Sequence, residues 1–237
     1  MSAPGVLLFA RYAYPPNELG YCGPDGAATM LRADAYAEIA RRARHFEGAW
    51  SYLEFIARAA GVADPLDEAV VEAYWVGNDL LDQVDPDALV CWLRDRFAGQ
   101  DGGTWQTAGG RATAHHSFQV FEVYPWAAML RRNQSPVALS VLDRCRIRTG
   151  VVVRVDAETA TVRSRRLRWD GGALGAGPEV EEVVRWSRNG RSLIDEPVPG
   201  DRVSLHWDWI CDIVSDQQAA RLESLTARQH DAVFEPR

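Results

Sequence analysis

Lysine is missing from all 237 residues, so every one of the 26 basic side chains is an arginine. That excludes Schiff-base chemistry on a lysine and a phosphate-binding loop built around one. Cysteine is sparse: Cys22, Cys91, Cys145 and Cys211 lie far apart with no C-x-x-C pair. The spacing argues against a zinc knuckle and against a dense disulfide framework, and free thiols are the expectation. No stretch reaches the roughly 18 apolar residues of a membrane span, and residues 1–5 lack a basic segment followed by a long apolar one. A cytoplasmic protein with no membrane partner is therefore expected. Positive charge is in deficit, with a formal net charge of -7. Without a basic field for phosphate backbones, nucleic acid is not an expected partner. No internal repeat is visible.

What is present is an ordinary globular balance, 47% hydrophobic and 25% charged residues, enough to bury a core as one large domain or two small ones. Nine tryptophans exceed what such a core needs, which points to a pocket or an interface lined by indoles.

Along the chain, residues 7–32 are aromatic and punctuated by Gly and Pro, which reads as an ordered loop. Apolar spacing over residues 27–60 predicts two helices ending at Gly61. Asp64-Pro65-Leu66-Asp67 and Asp85-Pro86-Asp87 each look like the cap and first turn of a further helix. The Gly-rich residues 99–110 read as a mobile loop. Residues 118–124 alternate with period two, as a half-buried strand does, although a bent helix running on through Arg132 also fits. From Leu142 the texture turns to β, with short strands divided by turn residues as in a small barrel of five or six strands. Residues 216–234 predict an amphipathic helix. The expected class is α+β. A mostly helical domain over residues 1–140 precedes a small OB-like β-barrel with a C-terminal helix over residues 141–237.

The barrel region carries two motifs in order. Cys145-Arg146-Ile147-Arg148-Thr149-Gly150-Val151-Val152 places a glycine five residues after a cysteine and leads into a strand. Gly200-Asp201-Arg202-Val203-Ser204-Leu205-His206-Trp207-Asp208-Trp209 closes the region and is followed by a helix. With these the last 90 or so residues resemble the hydrogenase-maturation chaperones of the HypC/HybG type. The resemblance implies an accessory role in assembling the Fe(CN)2CO part of a nickel-iron hydrogenase site, with Cys145 as iron ligand or docking point and His206 beside it. A thiolate and an imidazole are ligands that a low-spin iron fragment accepts. The whole chain also resembles an uncharacterised bacterial family, through His45-Phe46-Glu47-Gly48-Ala49-Trp50, Glu72-Ala73-Tyr74-Trp75-Val76-Gly77-Asn78, His115-His116-Ser117-Phe118 and the His206 motif.

Read for chemistry, Cys145 and His206 form either a ligand pair or a nucleophile with its base. Asp208, two residues along a strand from His206, is placed to share its face and orient it. His115 and His116 point to opposite faces on a strand, so one of them at most joins a site. His45, Trp75, Asn78 and Trp207 are candidates to line a substrate pocket, Asn78 beside the polar and aromatic cluster of Glu72, Tyr74 and Asp79. The leading expectation is a chaperone-like protein that binds a metal-cofactor intermediate or a protein partner. Its rival is an enzyme on a small polar metabolite, using His, Asp and Cys acid-base or displacement chemistry between the two regions. The sequence identifies no cofactor.

Overall fold

The protein is represented by a computed structural model that describes residues 3–99 and 103–234. Helices dominate the first part: α1 (Ala3–Glu18), α2 (Tyr36–Ala43), α3 (Glu47–Ala59), α4 (Glu68–Trp75) and α5 (Pro86–Arg96). Asp85 caps α5 as expected, whereas residues 64–67 form a turn ahead of α4 rather than its first turn, and the cap is Asp67. Asp67 accepts from the Ala69 N–H and Asp85 from the Ala88 N–H, with Pro86 in the first turn where its missing donor costs nothing.

Residues 7–18 correct the loop expectation, because α1 runs through them and through Pro15 and Pro16 in its last turn. Local punctuation is outweighed by burial: Val6, Phe9, Ala10, Tyr12, Ala13 and Tyr14 are all buried in the core. In the Gly-rich segment, residues 100–102 lie outside the described ones. Beyond them the chain makes two short 3-10 turns, Trp105–Thr107 and Gly109–Arg111, with Trp105 buried.

Residues 116–123 are helical too, as α6 (His116–Phe118) continuing into a π-turn over Gln119–Val123. The strand reading fails there because every residue from His116 to Val123 is buried, so the apparent alternation separates no solvent face. Next come α7 (Trp126–Asn133) and α8 (Pro136–Cys145), which carries helix across the position where β-structure was expected to begin.

The sheet starts at Arg148. Strands β1 (Arg148–Val155), β2 (Thr159–Trp169), β3 (Leu174–Arg185), β4 (Arg202–His206) and β5 (Trp209–Ile213) are ordered β1-β2-β3-β5-β4, and β4 pairs back onto β1 to close the ring. Val152, Ala160, Val162, Val184, Val203, Leu205 and Ile210 fill its interior. Helix α9 (Asp216–Phe234) ends the described chain.

The helical region and the sheet share hydrophobic core. The cluster that includes α1 to α5 also takes in Ile147, Trp209, Cys211, Leu222 and Leu225. Polar contacts cross as well: Tyr12 Oη lies 2.8 Å from Ser204 Oγ, and Arg11 pairs with Asp212 at 2.8 Å. No helix among the described residues is long and apolar enough to cross a membrane.

Candidate metal centre

Three elements converge on one buried point. Cys145 is the last residue of α8, His116 is the first of α6, and His206 is the last of β4. Their ligand atoms lie within 4.8 Å of one another. Tetrahedral coordination with bonds of about 2.0–2.1 Å to nitrogen and 2.3 Å to sulfur needs donor separations of about 3.3–3.6 Å. The set therefore has to close by only a small movement.

Second contacts fix each imidazole. His206 Nδ1 sits 2.7 Å from the Tyr12 carbonyl oxygen, which can only accept, so Nδ1 carries the proton and donates. Nε2 then holds a lone pair; it is buried near the Cys145 backbone and makes no hydrogen bond among the described residues. An imidazole with Nδ1–H tied to a carbonyl and Nε2 bare is oriented as metal-ligating histidines are. His116 is held through both nitrogens: Nε2–H donates to the Cys145 carbonyl at 2.8 Å, and Nδ1 accepts from the Tyr74 hydroxyl at 3.2 Å, a hydrogen bond that coordination through Nδ1 would displace.

Burial sets the charge of all three groups. It lowers His116 to about 4 and pushes His206 well below the ordinary histidine value, while it lifts the Cys145 thiol well above its own. At neutral pH the bare site is a thiol beside two neutral imidazoles. Neutral imidazole is already the ligating form, and a thiol surrenders its proton on coordination. A thiol held so firmly protonated is a poor nucleophile in the absence of a metal.

The site opens into a cavity of about 490 Å³ lined by Tyr21, Cys22, Phe46, Tyr74, Trp75, Gln119 and Trp207 among others. Trp75, at the end of α4, stacks on Tyr12 and lies with its ring centre 4.7 Å from His116 and 5.8 Å from His206. His45 lines the same cavity from an exposed position at its rim, as does Glu47. Six of the candidate residues, Cys145, His206, His116, His45, Trp75 and Trp207, are thus gathered around one space.

Three candidates lie elsewhere. Asp208 was expected to share the face of His206, but β4 ends at His206 and the chain turns through Trp207 and Asp208 into β5. Trp207 takes a left-handed φ of 55°, so strand alternation stops before Asp208. The carboxylate instead pairs with Arg144 at 3.1 Å, half-exposed. His115 points its Nδ1 at the Ser117 N–H and caps α6. Asn78 accepts from Leu80 N–H and donates to the Ala69 carbonyl and Glu72, which ties off the end of α4.

An ionic network that sequence reasoning missed lies behind the centre. Arg148, buried on β1, makes a two-pronged pair with Glu182 of β3 and donates to the Trp207 carbonyl at 2.9 Å. Glu182 also takes Arg166 and Ser164, and Asp143 of α8 takes Arg146 and Arg166. The Trp207 N–H donates to the Arg144 carbonyl, so the hairpin bearing His206 is locked to the helix bearing Cys145.

No curated protein and no solved structure matches the chain. A family does match, over residues 1–235, and it is described as a family of unknown function, DUF6390; the chain belongs to it.

Proposed function

We propose that this DUF6390 member is an accessory protein that holds a soft-to-borderline metal, as an ion or as part of a cofactor fragment, at His116, Cys145 and His206. One observation carries the reading: a thiol and two imidazoles from separate elements meet in a buried space, with the His206 Nε2 lone pair unpartnered. A nitrogen-rich set with one sulfur suits zinc, cobalt or a low-spin iron fragment better than hard cations. Three protein ligands beside a cavity leave a coordination position open, as sites that handle or pass on a ligand do, whereas purely structural zinc sites close with four.

The HypC/HybG resemblance fits this reading. A five-stranded ring in the order β1-β2-β3-β5-β4 is compatible with the OB-like barrel that the resemblance implies, and Cys145 and His206 come from the two motifs that carry it. The cargo would then be a metal-cofactor intermediate handed to a protein partner. The rival, acid-base or displacement catalysis by a Cys-His-Asp set, is less well supported, because Asp208 pairs with arginine away from His206 and burial keeps the Cys145 thiol protonated.

Titration of metal-free protein with zinc or cobalt under anaerobic conditions tests the site. One equivalent should bind, and Cys145→Ala or His206→Gln should each weaken binding by about 100-fold or more, at least what losing an outer-shell partner costs. Infrared spectra of protein purified without air then separate an ion from a fragment bearing CO and cyanide. A wild-type protein that takes up no metal would sink the proposal.

A further inference from the structure

Two residues that line the cavity carry buried polar atoms with nothing to bond to. The indole N–H groups of Trp75 and Trp207 are both buried and meet no acceptor among the described residues, and both side chains line the cavity that reaches the three ligands. Other buried donors, Trp169 Nε1 and the Nε of Arg42 and Arg146 among them, also lack acceptors among the described residues; the Trp75 and Trp207 pair differs in belonging to side chains that line the cavity reaching the proposed centre. Trp207 is held besides in a left-handed backbone conformation, a type of strain that gathers at ligand sites.

Charge points the same way. A divalent ion with one thiolate and two neutral imidazoles keeps one net positive charge. The residues facing it are mostly aromatic, and the lining carboxylate, Glu47, is exposed. A buried, uncompensated charge is costly, and a monoanion entering from the cavity removes it.

We propose that the fourth position at the His116–Cys145–His206 centre is filled from the cavity by a small anionic ligand with hydrogen-bond acceptor atoms, a pseudohalide or small carboxylate, received by the Trp75 and Trp207 indole N–H groups. This rests on the metal-binding reading above. The competing occupant is Cys22, whose side chain also lines the cavity. Its thiol lies outside the close set of ligand atoms, and its carbonyl is held at 2.8 Å by the Asn17 carboxamide.

Azide added to the cobalt-loaded protein tests the proposal. A thiolate-to-cobalt charge-transfer band before azide shows that the metal is bound. Azide should then shift the ligand-field bands saturably. Trp75→Phe and Trp207→Phe should each weaken azide by about fivefold or more beyond any change in cobalt affinity measured on the same variant, the loss of one ordinary hydrogen bond. Cys22→Ser should leave the charge-transfer intensity intact. In the zinc-loaded wild type two indole N–H resonances should move on azide addition, a readout independent of whether the variants fold. The proposal is overturned if azide leaves the cobalt spectrum unchanged, if no indole resonance moves, if folded Phe variants bind azide like wild type, or if Cys22→Ser halves the charge-transfer band. A wild type with no charge-transfer band at all refutes the metal-binding reading first, and this proposal with it.

Discussion

At the scale of single residues, the chemistry open to each site group is set by its hydrogen-bond partner and its burial. His206 presents a bare Nε2 because the Tyr12 carbonyl occupies Nδ1, a contact 194 residues apart in sequence. Asp208 lies outside this chemistry, so Asp208→Asn should leave metal affinity within about twofold, since exposed pairs of its kind contribute little; a tenfold loss in the same titration would place its carboxylate in the site. The buried histidines also set a pH dependence for the metal-free protein. His115 is lowered to about 3 and His116 to about 4, both by burial first. The unfolded chain, titrating near 6.5, binds protons that the folded chain refuses, so stability is full above about pH 6.5 and is lost as pH falls towards 4. Asn can replace His115 Nδ1 as acceptor for the Ser117 N–H. His115→Asn should therefore lose less stability between pH 6.5 and 4 in urea titrations, and parallel pH profiles would contradict the assignment.

At the scale of elements, the centre depends on two chain reversals: the end of α8, which delivers Cys145, and the turn at Trp207 and Asp208, which delivers His206. Arg148 and Glu182 tie the second to the sheet, and Arg166 links Glu182 to Asp143 of the first. Glu182→Gln removes one charge from a buried pair and leaves Arg148 uncompensated, with an expected loss of about 3–5 kcal/mol in unfolding free energy. Chemical denaturation checks it, and a loss under about 1 kcal/mol would mean the network is solvent-relaxed. Much of this level was legible in the sequence. The Asp67 and Asp85 caps, the β-rich texture of the last third and the C-terminal helix are local signals, and local signals survive in single sequences. The errors came where burial on all sides erases periodicity. Residues 116–123 have no solvent face to reveal their pitch, and α1 keeps helical geometry through Pro15 and Pro16 because its other residues are packed. The turn after β4 was missed because a tryptophan, not a glycine, takes the left-handed position.

At the scale of the whole molecule, the site exists only where the helical and β-regions meet: His116 comes from one, His206 from the other, and Cys145 from the helix that joins them. The sequence offered Cys145 and His206 through their motifs and His116 as a candidate beside His115, but nothing local says which of the two adjacent histidines joins the cysteine. Packing of α9 belongs to the same assembly. Gly77, at φ +96°, has Leu225 of α9 where a Cβ would stand, 2.2 Å away. Gly77→Ala should therefore destabilise the protein by about 1–3 kcal/mol through strain and the displaced helix, read as a lowered melting temperature; an unchanged value would mean that α9 packs loosely there. The most direct test of the central claim is X-ray absorption spectroscopy of the zinc-loaded protein. The predicted first shell holds one sulfur at about 2.3 Å and two imidazole nitrogens at about 2.0–2.1 Å, the sulfur disappearing in Cys145→Ala. A shell of light atoms with no sulfur, or one unchanged by Cys145→Ala, would contradict it.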